Sequence, residues 1–267
     1  MVGFFFSLKS HNNIKMENKM LFMAELYNKI IGEKGFWKSS GRKVWIKLFM
    51  VAVLLVSMYF LGGSAGRIAV SVKENERFVV VVDAGHGGND PGKTVGDVYE
   101  KDINLSIALK LKAILEKEGI EVVMTREEDK GLYEEGDSNK KITDMKNRCN
   151  LVNSSNADIL VSIHQNSYSS QGVKGAQVFY YEHSKGGERL ASIIQRAIKE
   201  NVDKENGRQQ KANDSYYILL NVTPPAVIVE CGFLTNPDEK EKLLTEEYQQ
   251  KMAEAIAMGI IEYKNEN

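Results

Sequence analysis

Two histidines and two glutamates in this chain are of the types that bind and use a catalytic metal ion. His86 stands in the glycine-rich stretch "VVVDAGHGGNDPG", and His164 ends the apolar run "ILVSIH". Glu230 lies within "VIVECGF", and Glu100 begins the stretch "EKDINLSIALKL". Two histidines and one carboxylate with an open fourth position are a common catalytic zinc set, and a separate glutamate can then serve as a base. These residue types therefore predict metal-assisted hydrolysis.

Each of the four residues also has a simpler structural explanation. A single histidine at the end of a strand is more often a hydrogen-bonded structural residue, and Glu100 could merely favour the start of a helix. Glu230 could instead pair with a buried Arg or Lys. The glycines beside His86 fit a tight turn, although they also let the backbone come close to an ion and its substrate. The case for a metal site rests on the prediction that all four residues lie at one edge of one sheet.

Strand and helix patterns alternate from residue 78 to residue 264. Apolar runs of strand length cover residues 78–83, 121–126, 159–164, 176–181 and 226–231, and helical patterns cover residues 103–118, 143–153, 187–201 and 245–264. Nearly continuous apolar strands between helices predict an α/β fold, with a mostly parallel twisted sheet flanked by helices on both faces. In such folds ligands bind beyond the carboxyl ends of the strands, which is where the four residues are expected.

Other polar residues are predicted to support the fold. Asn236 fits the N-cap of a helix that has Pro237 at its first position. Residues 129–141 carry seven charges and are predicted to form a solvated loop. Arg148 is expected to anchor its helix to a carboxylate.

Composition narrows the class of protein. The 267 residues are 43% apolar, which is ample for one packed domain, and a formal net charge of −1 gives no case for nucleic acid as a partner. Two cysteines rule out a disulfide scaffold. Strand alternation points Cys231 away from the site and into the core, while a disulfide between Cys231 and Cys149 stays open as an alternative outside the cytoplasm.

The amino-terminal quarter of the chain carries a membrane signal. Residues 1–47 hold nine Lys and Arg against three Glu, a net charge of +6, and residues 48–66 contain no charge. About 20 such residues span a bilayer as a helix, and the basic flank predicts that the amino terminus stays inside. Gly63 and Ala65 also allow a cleaved signal peptide. Residues 78–264, joined through a linker at 67–77, are expected on the outer side of the cytoplasmic membrane, or secreted if cleavage occurs near Gly66.

The motifs together resemble the zinc-dependent N-acetylmuramoyl-L-alanine amidases of the amidase-3 family. Four blocks, "DAGHGGNDPG", "EKDINLSIALKL", "SIHQNS" and "PAVIVECGFLTNPDE", occur in the family's order over about residues 78–264. The segment "KANDSYYILLN" and the block "ECGFLTN" are most similar to the CwlD-type amidases of the spore cortex. The resemblance implies a single catalytic domain with zinc bound by His86, Glu100 and His164, and with Glu230 as the catalytic glutamate.

The resemblance also implies a substrate and a pathway. The reaction would hydrolyse the amide between the lactyl group of N-acetylmuramic acid and L-alanine of the peptidoglycan stem peptide. Asn166 and Lys211 are the candidates for substrate contact, with turn capping for Asn166 and a solvated loop position for Lys211 as the alternatives. The expected role is spore-cortex maturation through muramic-δ-lactam, completed by a separate deacetylase, and an activating protein partner is a further expectation.

Two other classes of function stay open from the residues alone. Another zinc-dependent peptidoglycan hydrolase or a deacetylase could use the same two histidines and two glutamates. A membrane-tethered, non-catalytic wall-binding protein is the second alternative, and such a protein would have no need to keep Glu230.

Overall fold

The computed structural model describes residues 49–53 and 77–266 of the chain. The chain divides into two compact units, Met1–Asn75 and Glu76–Asn267. Residues 49–53 of the first unit are helical. Within the described residues, none of the helices is long and apolar enough to cross a membrane. Apart from residues 49–53 and 77, the predicted membrane segment at 48–66 and the linker at 67–77 lie outside the described residues.

The described part of the second unit consists of alternating strands and helices. The strands are β1 Val79–Ala84, β2 Thr94–Val95, β3 Val98–Tyr99, β4 Glu121–Met124, β5 Ile159–Asn166, β6 Gln177–Tyr181, β7 Lys211–Asn213 and β8 Ala226–Phe233. The helices are α1 Glu100–Lys117, α2 Lys140–Ser154, α3 Lys185–Asn201, α4 Tyr217–Asn221, α5 Pro237–Leu243 and α6 Glu246–Glu266. The predicted strands and long helices are all present, with ends shifted by a few residues.

Six of the strands form one sheet, in the order β4–β1–β5–β8–β6–β7. The first four of these run parallel to one another, whereas β6 runs antiparallel to β8 and parallel to β7. The sheet is therefore mixed, and the prediction of a mostly parallel sheet is confirmed except at the β8–β6 pair. Residues 167–176 join β5 to β6 without a helix, so the chain returns in the opposite direction instead of making the long crossover that a parallel strand needs.

Helices cover both faces of the sheet, as predicted. On one face α1, α3 and α6 form a core with strand residues such as Val80, Val82 and Ile163. On the other face α2 and α4 pack over Val81 and Leu160. Because neighbouring residues of each central strand are buried on opposite faces, β1, β5 and β8 begin with continuous apolar runs, and their polar residues come later in each strand.

The two cysteines are free and buried on opposite sides of the sheet. Cys231 belongs to the core under α1, α3 and α6, whereas Cys149 belongs to the core under α2 and α4. The direction predicted for Cys231 is confirmed. The sheet separates the two thiols, and a disulfide needs its two β-carbons within about 4.5 Å of each other.

The start of α5 has the predicted cap. The Asn236 side chain accepts a hydrogen bond from the backbone N–H of Glu239 at 3.0 Å, and Pro237 occupies the first turn. The Glu239 carboxylate does not turn back to the cap. It accepts hydrogen bonds from the backbone N–H groups of Gly175 and Phe233, and so ties the β5–β6 loop to the end of β8.

Candidate metal centre

The carboxyl ends of β1 and β5 and the start of α1 bring His86, Glu100 and His164 together. One potential ligand atom from each residue lies within 4.8 Å of the other two. Nε2 of His86 is 3.2 Å and Nδ1 of His164 is 3.0 Å from Oε1 of Glu100. The two imidazole rings meet edge to face, with centroids 4.9 Å apart. The three residues that the sequence singles out as ligands thus form one cluster.

The loop after β1 presents His86 in an unusual backbone conformation. The φ angle of His86 is 61°, in the left-handed region that non-glycine residues seldom occupy. Two glycines leave room for the cluster. A β-carbon at Gly85 would lie 2.3 Å from the ring of His164, and one at Gly92 would lie 2.6 Å from Oε2 of Glu100. At these two positions the glycines allow the close backbone approach that the sequence predicts.

Two buried arginines hold the backbone of this loop. Arg148 donates to the carbonyl oxygens of Ala84 and His86 and pairs with the Asp83 carboxylate at 2.6 Å. Arg126 also donates to the carbonyl oxygen of Ala84. Burial alone would raise the pKa of Asp83, but Arg148 and neighbouring hydroxyl groups lower it to about 2. The prediction that Arg148 anchors its helix to a carboxylate is confirmed.

Glu100 is the first residue of α1, which begins three residues earlier than predicted. Its Oε1 accepts hydrogen bonds from the backbone N–H of Gln165 and from Nδ2 of Asn104, and Asn104 also donates to the carbonyl oxygen of Gly85. Burial works to raise the pKa of Glu100, but the two histidines hold it far below its usual range. Glu100 is therefore a charged, well-oriented carboxylate.

An outer carboxylate orients His86. Nδ1 of His86 lies 2.9 Å from Oδ2 of Asp90, which leaves Nε2 directed at the cluster. Metal-binding histidines commonly have such a carboxylate on the second ring nitrogen. Burial alone would lower the pKa of His86, but Asp90 and Glu100 raise it to about 9, so a metal ion would have to displace a proton. Asp90 was not predicted, although its place in the glycine-rich turn offered a signal.

Glu230 lies beside the cluster and outside it. In the parallel pair β5–β8 it stands opposite His164, with its side chain on the same face. The residue is only 6% exposed, and its Oε2 has no hydrogen-bond partner within the described part of the chain. Burial raises the pKa of Glu230 to about 7, and nearby Glu100 adds to the rise while His164 opposes it. A buried carboxyl group with one free oxygen is suited to proton transfer.

Tyr216 is a site residue that the sequence reasoning missed. Its side chain lies beside Glu230, and burial together with the charge of that carboxylate raises the pKa of Tyr216 to about 12. The phenol is therefore neutral and can donate. The ring packs edge to face on Phe179, and the backbone N–H donates to the side chain of Asn213. Tyr216 lies in the segment "KANDSYYILLN", and the similarity of that segment to the CwlD-type amidases was the available signal.

The two predicted substrate contacts lie outside the cluster. The side-chain oxygen of Asn166 accepts a hydrogen bond from the backbone N–H of Ser167, which is the local turn role weighed from the sequence. A register irregularity in β5 also separates Asn166 from His164. Lys211 is exposed at the first position of the edge strand β7. Contact of either residue with a substrate stays a prediction.

Three donors of the cluster fit one metal ion by their chemistry. Two imidazole nitrogens and one carboxylate oxygen are the protein ligands of a common type of catalytic zinc site, and they leave a fourth position open. His86 and Glu100 are also oriented by partners outside the cluster, as metal ligands usually are. The fold and this site define an α/β protein with a possible His–Glu–His metal site beside a buried carboxyl group.

The chain belongs to the N-acetylmuramoyl-L-alanine amidase family (Amidase_3), which it matches over residues 80–262. It is 38% identical over 191 residues to the germination-specific N-acetylmuramoyl-L-alanine amidase of Bacillus subtilis (strain 168), a match that covers 70% of this chain and 80% of that protein.

Two solved structures extend this similarity to the fold. One is the CwlD amidase of Clostridioides difficile in complex with the GerS lipoprotein, with 40% identity and a TM-score of 0.70, covering 72% of this chain and 100% of that chain. The other is an N-acetylmuramoyl-L-alanine amidase from Clostridium difficile 630, with 36% identity and a TM-score of 0.64, covering 72% of this chain and 98% of that chain.

Proposed function

We propose that this protein is a zinc-dependent N-acetylmuramoyl-L-alanine amidase. It cleaves the amide between the lactyl group of N-acetylmuramic acid and L-alanine of the peptidoglycan stem peptide. The observation that carries the proposal is the cluster of His86, Glu100 and His164 beside buried Glu230, in a chain of the amidase family. Zinc is the proposed ion because two imidazoles and one carboxylate leave one position of a tetrahedral site open.

The residues around the site divide the chemistry between them. A zinc ion held by the three ligands would polarise the lactyl carbonyl and lower the pKa of a water at the open position toward about 7. Glu230 accepts a proton from the attacking water and delivers it to the departing alanine nitrogen. Its Oε2, which has no hydrogen-bond partner among the described residues, is available for this transfer, and Tyr216 lies beside the same carboxyl group. The products are a lactyl carboxylate and a new alanine amino terminus.

The spore cortex is the proposed place of action. The similarity to a germination-specific amidase and to the CwlD amidase supports it. Removal of the stem peptide exposes the lactyl carboxylate that muramic-δ-lactam formation needs, and a separate deacetylase would free the amine that closes the ring. The complex of that CwlD amidase with a lipoprotein supports a protein partner for this chain as well.

The identity of the products tests the proposed reaction. Full-length protein with zinc and peptidoglycan should release stem peptides with new alanine amino termini and leave muramic acid with free lactyl carboxylates, both seen by mass spectrometry. A deacetylase would release acetate instead, and a non-catalytic wall-binding protein would remain bound without new termini. Release of acetate without new alanine termini would overturn the assignment.

The outer side of the cytoplasmic membrane is the proposed location of residues 78–264. The uncharged segment 48–66 and the net charge of +6 on residues 1–47 support an anchor with its amino terminus inside. A reporter that works only in the cytoplasm should therefore be inactive when it is fused after Asn267. An active reporter would contradict this location, and recovery of a chain that begins near Gly66 would favour a secreted, cleaved form.

A further inference from the structure

The loop that carries His86 does not satisfy all of its own backbone hydrogen bonds. Gly87 and Asp90 exchange two backbone hydrogen bonds and close a tight turn whose tip is Gly88 and Asn89. The N–H groups of these two tip residues are directed away from the turn, toward side chains from another part of the chain. The positive φ angle of His86 adds to the need for outside support, since such a conformation persists only where its surroundings hold it.

That support comes from residues 128–133, here called the strap. Oδ1 of Asp129 accepts the hydrogen bond of the Gly88 N–H, and the hydroxyl of Tyr133 accepts that of the Asn89 N–H, both at 2.8 Å. Lys101 completes the contact because its Nζ donates to the carbonyl oxygen of Gly88 at 3.0 Å and to Oδ2 of Asp129 at 2.7 Å. Both tip residues are thus held by side chains more than forty positions away in sequence.

The strap also lies directly against the turn. A β-carbon at Gly88 would be 2.4 Å from the hydroxyl oxygen of Tyr133, and one at Gly87 would be 2.5 Å from the carbonyl oxygen of Lys130. Tyr133 in turn covers Gly131, where a β-carbon would be 2.1 Å from its ring. The turn and the strap therefore fit together with no room for side chains on the glycines, and a shift of one must move the other.

The far end of the strap is fixed to α2. The backbone N–H of Leu132 donates to Oδ1 of Asp144, and its carbonyl oxygen accepts from Nδ2 of Asn147. Asp144 pairs with Arg148, which donates to the carbonyl oxygen of His86 at 2.6 Å. The strap, α2 and the His86 loop form a closed circuit of hydrogen bonds. Residues 129–139 form a loop, as predicted; residues 129–130 are exposed, while residues 131–133 are half-buried against the turn.

We infer that Asp129 and Tyr133 are positioning residues that set the metal affinity of the centre by holding His86 in place. The inference rests on the proposed zinc site. Neither residue belongs to the ligand cluster, and both act on the backbone two and three positions beyond His86. Loss of an outer-shell contact of a metal ligand typically lowers metal affinity by about 10–100-fold, and the same range is expected here.

Zinc affinity of the full-length protein tests the inference. Competition with a chromophoric chelator should show about 10-fold or greater weakening for Asp129→Ala and for Tyr133→Phe, and more for the double variant. Glu128→Ala is the matched control, because it removes a neighbouring carboxylate of the same strap whose ion pair is with Lys130 at the surface. The control should bind zinc as the unchanged protein does.

A second set of readouts separates positioning from general stability. The metal-free variants should melt within a few degrees of the metal-free control, since Asp129→Ala removes a half-exposed ion pair with Lys101 and Tyr133→Phe removes one exposed hydrogen bond. At saturating zinc, kcat and KM should return to those of the unchanged protein. Affinities of Asp129→Ala and Tyr133→Phe equal to that of Glu128→Ala would overturn the inference, and so would a loss of zinc explained by unfolding. An unchanged protein that binds no zinc would overturn the metal centre itself.

Discussion

Glu230→Gln is expected to keep the fold and the metal and to lose about 10²–10⁴-fold in the rate of amide hydrolysis, the range typical of a positioned acid–base group. Glutamine has nearly the same shape as glutamate and can still hydrogen-bond, but it cannot accept a proton at neutral pH. Glu230 is buried, its Oε2 has no partner among the described residues, and it stands opposite His164 in the sheet. Its loss therefore removes the proton-transfer group and leaves the three proposed ligands in place.

The measurement combines single-turnover or steady-state rates on muropeptides with metal analysis of the same preparation. Glu241→Gln, an exposed change of the same kind on α5, serves as the control and should have the rate of the unchanged protein. A near-normal rate in Glu230→Gln would exclude the proton-transfer role. Loss of zinc from this variant would instead move Glu230 into the ligand set and place the role of Glu100 in doubt.

His164→Ala is expected to lose both the metal and the activity. His164 supplies one of the three proposed ligands, and its Nδ1 is 3.0 Å from the carboxylate oxygen of Glu100. Removal of a direct ligand should cost more than the roughly 10–100-fold in metal affinity that outer-shell changes cost. The rate should therefore fall at least as far as in Glu230→Gln, but for a different reason.

Metal content per chain distinguishes the two variants, because only His164→Ala should be purified without stoichiometric zinc. His183→Ala is the control, since His183 is exposed and its ion pair is with neighbouring Glu182. Circular dichroism should show that His164→Ala is folded, because its ring lies at the rim of the sheet, outside the two cores, with 20% of the side chain exposed. Full zinc occupancy in a folded His164→Ala protein would refute the ligand assignment.

Much of the fold could be predicted from local pattern. Continuous apolar runs mark strands that are buried on both faces, and β1, β5 and β8 were found where these runs occur. The pattern failed at β7 and at the direction of β6. β7 has only three residues, and two of them are exposed. Such a strand needs no apolar run, so the hydrophobic pattern does not indicate it. The direction of a strand depends on how the chain returns to the sheet, and hydrophobic periodicity does not record that.

Some residues of the candidate site could likewise be predicted from the sequence, and others could not. His86, His164 and Glu230 could be singled out because each lies where the apolar run of a strand ends or is interrupted. Glu100 could be singled out because it stands just before the helix that follows the first strand. Asp90 and Tyr216 could not be ranked above the many other acids and tyrosines, because their importance comes from lying beside His86 and Glu230 in the folded chain. The seven charges in residues 129–141 predict a solvated surface loop, and they give no sign that Asp129 and Tyr133 contact the His86 loop.

The amino-acid sequence by itself determined the kinds of donor, the strand ends that carry them and the faces that must be buried. Only the tertiary structure decided which donors meet. The register of β5 against β8 places His164 opposite Glu230. The sheet lies between the two cores and so separates Cys149 from Cys231. Asp129 and Tyr133 of the strap contact the His86 loop although they are more than forty positions away from it in sequence. These are contacts between segments far apart in sequence, and local propensity and periodicity act only over the few residues of one strand or helix turn.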